Sequence, residues 1–204
     1  MKKTYFQRTY NLNANLIVFA LLSFLFKVGI NLLIKIFKSI NLPGMHGLFT
    51  TTLDKLIILE HYLQLLSFCI IIITILLVFI ELVQRLSKDS LWNYFKSIYQ
   101  TSQMRQFLKQ DVHSEPMSTI ESQTITRINP ILKTFNQSIS GCIVDVRKDS
   151  VTFLLTIPKT QQAQKLLREM EDDIREEMSN RNPRYYFSSA FRKGKQLWLI
   201  GAKH

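Results

Sequence analysis

Leu63 to Ile80, LQLLSFCIIIITILLVFI, is an unbroken run without a charged residue. As a helix rising about 1.5 Å per residue it approaches the roughly 20 residues that a bilayer core demands. A buried helix of a soluble protein carries a polar stripe at helical spacing, and this run reads as lacking one. It is a transmembrane helix by that reasoning, and the rest of the chain is read from this anchor.

A second apolar stretch, Leu16 to Ile34, is interrupted by Lys27 and Asn31. Its large apolar side chains favour insertion by on the order of −6 kcal/mol, against a cost of about 3 kcal/mol for one central Lys. Insertion wins. A cleaved signal peptide is the competing interpretation, since Lys2, Lys3 and Arg8 form a basic start. The run is longer than the usual h-region, however, and no small-x-small cleavage site follows. Lys27 either pairs with Glu60 or Glu81 inside the membrane or snorkels toward its edge; snorkelling is the plainer choice.

The basic flanks set the orientation. Arg85, Lys88, Lys96, Arg105 and Lys109 after the second run outnumber Lys35, Lys38 and Lys55 between the runs. The expected topology is a hairpin in a bacterial cell membrane, with both termini cytoplasmic and the loop around Leu42-Pro43-Gly44 outside. Cys69 falls within the second span and Cys142 beyond it, so no disulfide framework is expected.

The expected fold is α+β. A transmembrane hairpin occupies 1–84, with helices at about 16–34 and 60–83. A juxtamembrane helix follows over 85–110, then a linker over 111–130 and a β-β-α-β-β cytoplasmic domain over 131–204. From Arg85 onward there are 19 Lys+Arg against 12 Asp+Glu, about +7 of the chain's +11. Leu91, Tyr94, Phe95, Ile98, Met104, Phe107 and Leu108 recur at helical spacing and read as a stalk continuing the second span. Trp92, Tyr94 and Tyr99 would lie against headgroups or against a neighbouring subunit. Ile139–Arg147 and Val151–Ile157 read as a β-hairpin. A helix from Gln161 to Asn180 buries Ala163, Leu166, Leu167, Met170, Ile174 and Met178, with a solvated acidic face. Strands over Arg184–Phe191 and Gln196–Ala202 close the domain.

Enzyme chemistry is not expected. No phosphate-binding loop, GxGxxG or GxSxG occurs. His46, His61, His113 and His204 are scattered rather than at metal-ligand spacing, and Asp145 and Asp149 belong to one hairpin. No cofactor or metal is expected. The suggestive patch is Arg181, Arg184, Arg192, Lys193, Lys195 and Lys203, interleaved with Tyr185, Tyr186, Phe187, Phe191 and Trp198. Cations with stackable aromatics suit single-stranded nucleic acid, while cations alone suit anionic lipid. Alternation places Tyr185, Phe187 and Phe191 on one face, which fits core packing instead.

Arg85-Leu86-Ser87-Lys88-Asp89-Ser90-Leu91-Trp92-Asn93-Tyr94-Phe95, then Ser140–Val146 and the Gln161–Ser179 helix, follow the two apolar runs. This layout resembles the N-terminal part of the FtsK/HerA-type coupling proteins of Gram-positive conjugative elements. The resemblance is architectural and carries over no catalytic residue, and the chain stops at His204 where that family's ATPase would begin. It implies a non-catalytic, membrane-anchored adaptor of a plasmid conjugation or mobilisation system. Such an adaptor would bring a relaxase, a motor ATPase or DNA to the membrane, and the hexameric motors imply self-association. The alternative is a two-helix membrane sensor or pore-forming effector controlled by a small ligand-binding domain, for which Lys27 and Asn31 would line an aqueous path.

Overall fold

A computed structural model describes residues 2–39, 46–112 and 129–203. It mixes helices with one antiparallel sheet and begins with two long apolar helices. The chain divides into two compact units. One is Arg8–Glu81; the other joins Met1–Gln7 to Leu82–His204.

The two apolar helices are α1, Tyr5–Ser39, and α2, His46–Lys88. Each is long and apolar enough to cross a membrane. Both outrun the expected 16–34 and 60–83, because hydropathy marks only the stretch that lipid would cover. Thr4 and Gln7 start α1 with a capping box: Gln7 N donates to Thr4 Oγ1 at 3.2 Å and Thr4 N donates to Gln7 Oε1 at 3.1 Å.

Within the Arg8–Glu81 unit the two helices run antiparallel. Ser23 Oγ and Ser67 Oγ lie 2.8 Å apart, within hydrogen-bond distance, and Asn31 Nδ2 donates to Glu60 Oε1 at 2.9 Å. Asn31 therefore takes Glu60, the partner that the less favoured reading gave to Lys27. Lys27 is half-buried in a groove beside His61 and Gln64. The Leu63–Ile80 run does carry a polar stripe after all. Glu60, Ser67, Thr74 and Glu81 recur at every seventh position, and the last three are buried. Ser67 and Thr74 also donate to the carbonyls of Leu63 and Ile70, each at 2.8 Å. A hydroxyl satisfied within its own helix is cheap to bury, and this one stripe leaves Phe19, Leu25, Phe26, Phe68, Ile75 and Phe79 outward and exposed.

The second unit takes in the end of α2 from Leu82 onward. The expected continuous stalk over 85–110 is broken at Asp89 and Ser90. Ser90 adopts an extended conformation and its hydroxyl accepts from Trp92 N, capping α3, Leu91–Leu108. The linker expected over 111–130 lies for the most part outside the described residues. At its end Asn129 caps α4, Pro130–Ser140, which claims the first residues of the strand expected from Ile139.

Strands β1, Ile143–Val146, and β2, Ser150–Thr156, form the expected hairpin. The single expected helix is two, α5, Gln161–Glu169, and α6, Glu171–Arg181, kinked at Met170. The acidic first turn of α6, Glu171-Asp172-Asp173, suits a helix N-terminus. The next expected strand is also two, β3, Tyr185–Phe187, and β4, Phe191–Lys193, and both pair with β5, Gln196–Lys203. The sheet order is β1-β2-β5-β3, with β4 beside β3 along the same edge of β5.

One sheet face is the core: Val144, Val146, Phe153, Leu155, Leu197 and Leu199 pack beneath α4, α5 and α6 on Phe135, Ile139, Leu167, Ile174 and Met178. Gly201 lies on this face because Phe187 sits over it, with ring carbons 2.8 Å from where a Cβ would stand. Cys142 is buried in the same core. Burial pushes its thiol from 9.0 up to about 11, against a smaller downward pull from Arg105. In a Cys69→Ser variant, native Cys142 should therefore react with a thiol reagent at pH 8 about a hundredfold more slowly than the denatured chain. The same shift makes folding stability fall as pH rises from about 9 toward 11, because the unfolded thiol ionises first. Equal native and denatured labelling rates would contradict the burial.

Candidate functional site

The six cations singled out from the sequence do not converge. β5 runs from Gln196 to Lys203, about 23 Å at 3.3 Å per residue. Lys193 and Lys195 are at one end of it, and Arg184 and Lys203 at the other. Arg181 is tied to Glu177, its Nε 2.6 Å from Oε1. Gly194, at φ 60°, and Lys195 make the two-residue turn from β4 to β5. Glycine at the first central position is what a type II′ turn requires.

The aromatics also separate. Trp198 and Phe187 are buried, and Tyr185 donates its hydroxyl to Arg147 O at 2.9 Å. Burial, reinforced by Asp89 and Asp149, raises the Tyr185 phenol above its usual range, and Arg184 partly opposes this. Phe187 pairs with Gly201, but Phe191 pairs with Trp198. One extra residue therefore enters between β3 and β4, and such a slip flips every later side chain to the other face. The expected alignment of Tyr185, Phe187 and Phe191 fails for that reason.

The flip also turns Arg192 toward the core face, opposite Leu197 and away from Lys193. Arg192 there borders a cleft of about 300 Å³, floored by Leu167 and Leu197 and rimmed by Gln164, Arg168 and Glu171. Burial raises the Glu171 carboxyl; Arg168 lowers it and Asp172 adds to the rise. Arg184 borders a different cleft, with Trp92, Asn93 and Lys96 of α3.

The densest chemistry lies elsewhere, at the end of α2. Arg85 is fully buried. Its Nη2 donates to Asp145 Oδ1 at 2.7 Å, its Nη1 donates to Val146 O at 3.1 Å, and Asp89 Oδ2 stands 3.5 Å away. Its guanidinium carbon is 5.1 Å from the Phe6 ring centre and 5.5 Å from that of Tyr94. Asp145 also accepts from Thr4 Oγ1 at 2.7 Å and from Arg147 Nε at 3.0 Å. The N-terminus, the end of α2, α3 and β1 thus share one buried ion pair. Asp145, read from the sequence only as part of a hairpin, is its acidic centre.

The buried face of α3 is polar at Ser97, Gln100 and Thr101, where periodicity did not place burial, and apolar at Met104 and Leu108, which join the core as their spacing suggests. Val144 N donates to Thr101 Oγ1 at 3.0 Å and Val146 N to Ser97 Oγ at 2.9 Å, while Arg105 Nη2 donates to Cys142 O at 2.8 Å. Four residues of helix rise about 6.0 Å, and two residues of strand span about 6.7 Å. Ser97, Thr101 and Arg105 therefore step in register with Val146, Val144 and Cys142. They occupy the free edge of β1 as another strand would. That spacing was visible in the sequence, but only as polar residues at every fourth position.

Among the described residues no cluster of three or more His, Cys, Asp or Glu side chains is arranged to hold a metal ion. Compared with known protein families, curated proteins and solved structures, the chain matches none.

Proposed function

We propose that this chain is a membrane-anchored adaptor whose two apolar helices span the bilayer as a hairpin and whose sheet unit stands on the cytoplasmic side. The observation that carries the reading is the Arg85 cluster. Thr4 and Phe6, before the first span, and Arg85, after the second, meet around Asp145 in one compact unit. Both ends of a two-span hairpin then lie on one side, and the basic excess beyond Arg85 makes that side cytoplasmic. A cleaved signal peptide fits poorly, since cleavage would remove Thr4 and Phe6 from the cluster. Epitope tags at the two ends, probed with protease on sealed cells and on inverted vesicles, test this. Both tags should be protected in cells and cleaved in inverted vesicles; tags on opposite sides would overturn the hairpin.

The membrane seam favours an anchor over a pore. Asn31 is satisfied by Glu60, and Ser23 by Ser67, so these groups join the helices to each other. Liposome flux unchanged by Lys27→Leu would agree with that role.

The setting we propose, following the resemblance to conjugative coupling proteins, is recruitment of a relaxase, a motor ATPase or DNA in plasmid transfer. We assign the contact with such a partner to Lys193 and Lys195, exposed at the β4–β5 turn. If DNA is the partner, the solubilised chain binds oligonucleotide with an affinity that falls steeply with salt. Replacing Lys193 and Lys195 with Ala lowers the slope of log affinity against log salt by about one to two. Binding indifferent to both substitutions would remove DNA from the reading and leave a protein partner. Normal plasmid transfer after deletion of the gene would remove the setting itself.

A further inference from the structure

Because α3 spends its polar face on β1, its opposite face is left to explain. On a 100° helical wheel Trp92, Phe95 and Tyr99 fall together, opposite Ser97, Thr101 and Met104. These three aromatics are 75%, 60% and 62% exposed. The remainder of that outward face, Ser102, Gln103 and Gln106, is polar. The three exposed aromatics are thus gathered in the first half of α3, the part separated from α2 by only Asp89 and Ser90, and exposed Phe107 lies apart from them near its end. Val83 and Leu86 at the end of α2, and Leu91 at the start of α3, are exposed too. A bilayer surface would be met by the part of α3 that follows closely on the apolar end of α2, which is where these aromatics lie. The charges agree: Lys96 and Arg184 border one cleft with Trp92, placing two cations beside an indole.

We propose that the first half of α3, with Arg184, forms an in-plane membrane contact. Trp92, Phe95 and Tyr99 enter the headgroup–acyl boundary, where amphipathic aromatic rings settle. Lys96 and Arg184 meet the phosphates of anionic lipid. Tyr94, which a reading of the sequence groups with these aromatics, does not belong: it packs edge-on to Phe6 and beside Arg85. The proposal rests on the membrane reading above. It adds a second, peripheral attachment that would fix the tilt of the sheet unit against the bilayer and make it sensitive to lipid charge.

The chain has two tryptophans, so Trp198→Phe leaves Trp92 as sole reporter. Trp198 is a tolerant place for the change, since its buried indole N–H makes no hydrogen bond among the described residues. The full-length variant is reconstituted in vesicles of phosphatidylcholine with a quarter phosphatidylglycerol. The expected result is Trp92 emission shifted to shorter wavelength and quenched about twofold or more by lipids brominated near the headgroup. Adding Lys96→Ala and Arg184→Ala should weaken that quenching in the anionic vesicles and leave it unchanged in pure phosphatidylcholine. Trp92 emission that ignores brominated lipid overturns the proposal, and so does a response to single-stranded DNA in its place. A control chain with Trp92→Phe, Trp198→Phe and Phe68→Trp separates the two readings. If Trp at position 68 is quenched while Trp92 is not, the anchor stands and the peripheral contact falls. If neither is quenched, the membrane reading falls with it.

Discussion

Arg85→Ala is expected to cost the sheet unit about 3–5 kcal/mol, the usual penalty for removing one partner of a buried ion pair. Asp145 would keep Thr4 and Arg147 as partners but lose the fully buried guanidinium that also joins Val146 O, Asp89, Phe6 and Tyr94. Thermal unfolding of the detergent-solubilised chain reads the loss. Trypsin cleavage at Arg8 should also accelerate, because Phe6 and Thr4 lose what holds them. Arg85→Lys should recover only part, since an ammonium cannot serve two acceptors through a planar fork. The double change Arg85→Met with Asp145→Leu should be milder than Arg85→Met alone, because no charge is then left buried without its partner. A loss under about 1 kcal/mol for Arg85→Ala would mean that the cluster is not what holds the N-terminus and α2 to the sheet.

The second large effect is expected at the β1 edge. The paired change Ser97→Ala and Thr101→Val keeps nearly the same volume but strips the hydroxyls that serve Val144 N, Val144 O and Val146 N. An unsatisfied buried backbone group costs about 1–3 kcal/mol, so the pair should cost about 3 kcal/mol or more. Amide hydrogen exchange separates this from general loosening. Val144 and Val146 should lose protection most, while the β2–β5 pairing, which is internal to the sheet, should keep it. Uniform loss across the sheet, or none at β1, would contradict the strand-like role of α3. Valine at position 97 as well would add crowding where Ser97 Oγ also reaches Asn93 O at 2.7 Å, so alanine is the cleaner choice there.

Much of the architecture was legible because it rests on local periodicity. The apolar runs around 16–34 and 63–80, the hairpin of β1 and β2, and the stripe from Ala163 to Met178 are each written within a few residues of themselves. Other features depend on what lies across the fold. A helix whose polar side meets a strand edge looks, by composition alone, like one whose apolar side faces a core; in α3 the burial of Ser97, Gln100 and Thr101 was hidden for that reason, while Met104 and Leu108 enter the core. The slip between β3 and β4 is a matter of pairing with β5, and no alternation rule within residues 184–193 could reveal that Phe191 and Arg192 exchange faces. The candidate basic patch dissolved for the same cause, since neighbours in sequence landed at opposite ends of β5.

What the sequence determined by itself was where the chain is long and apolar enough to cross a membrane. Burial of apolar surface is additive along a helix, so Leu63–Ile80 announces itself without reference to any partner. What only the tertiary structure decided was which polar groups are spent internally. Arg85 reads as one more flanking cation until Asp145, sixty residues later, is folded against it. Electrostatic pairing and strand register are pairwise properties of distant residues, and a one-dimensional pattern carries neither.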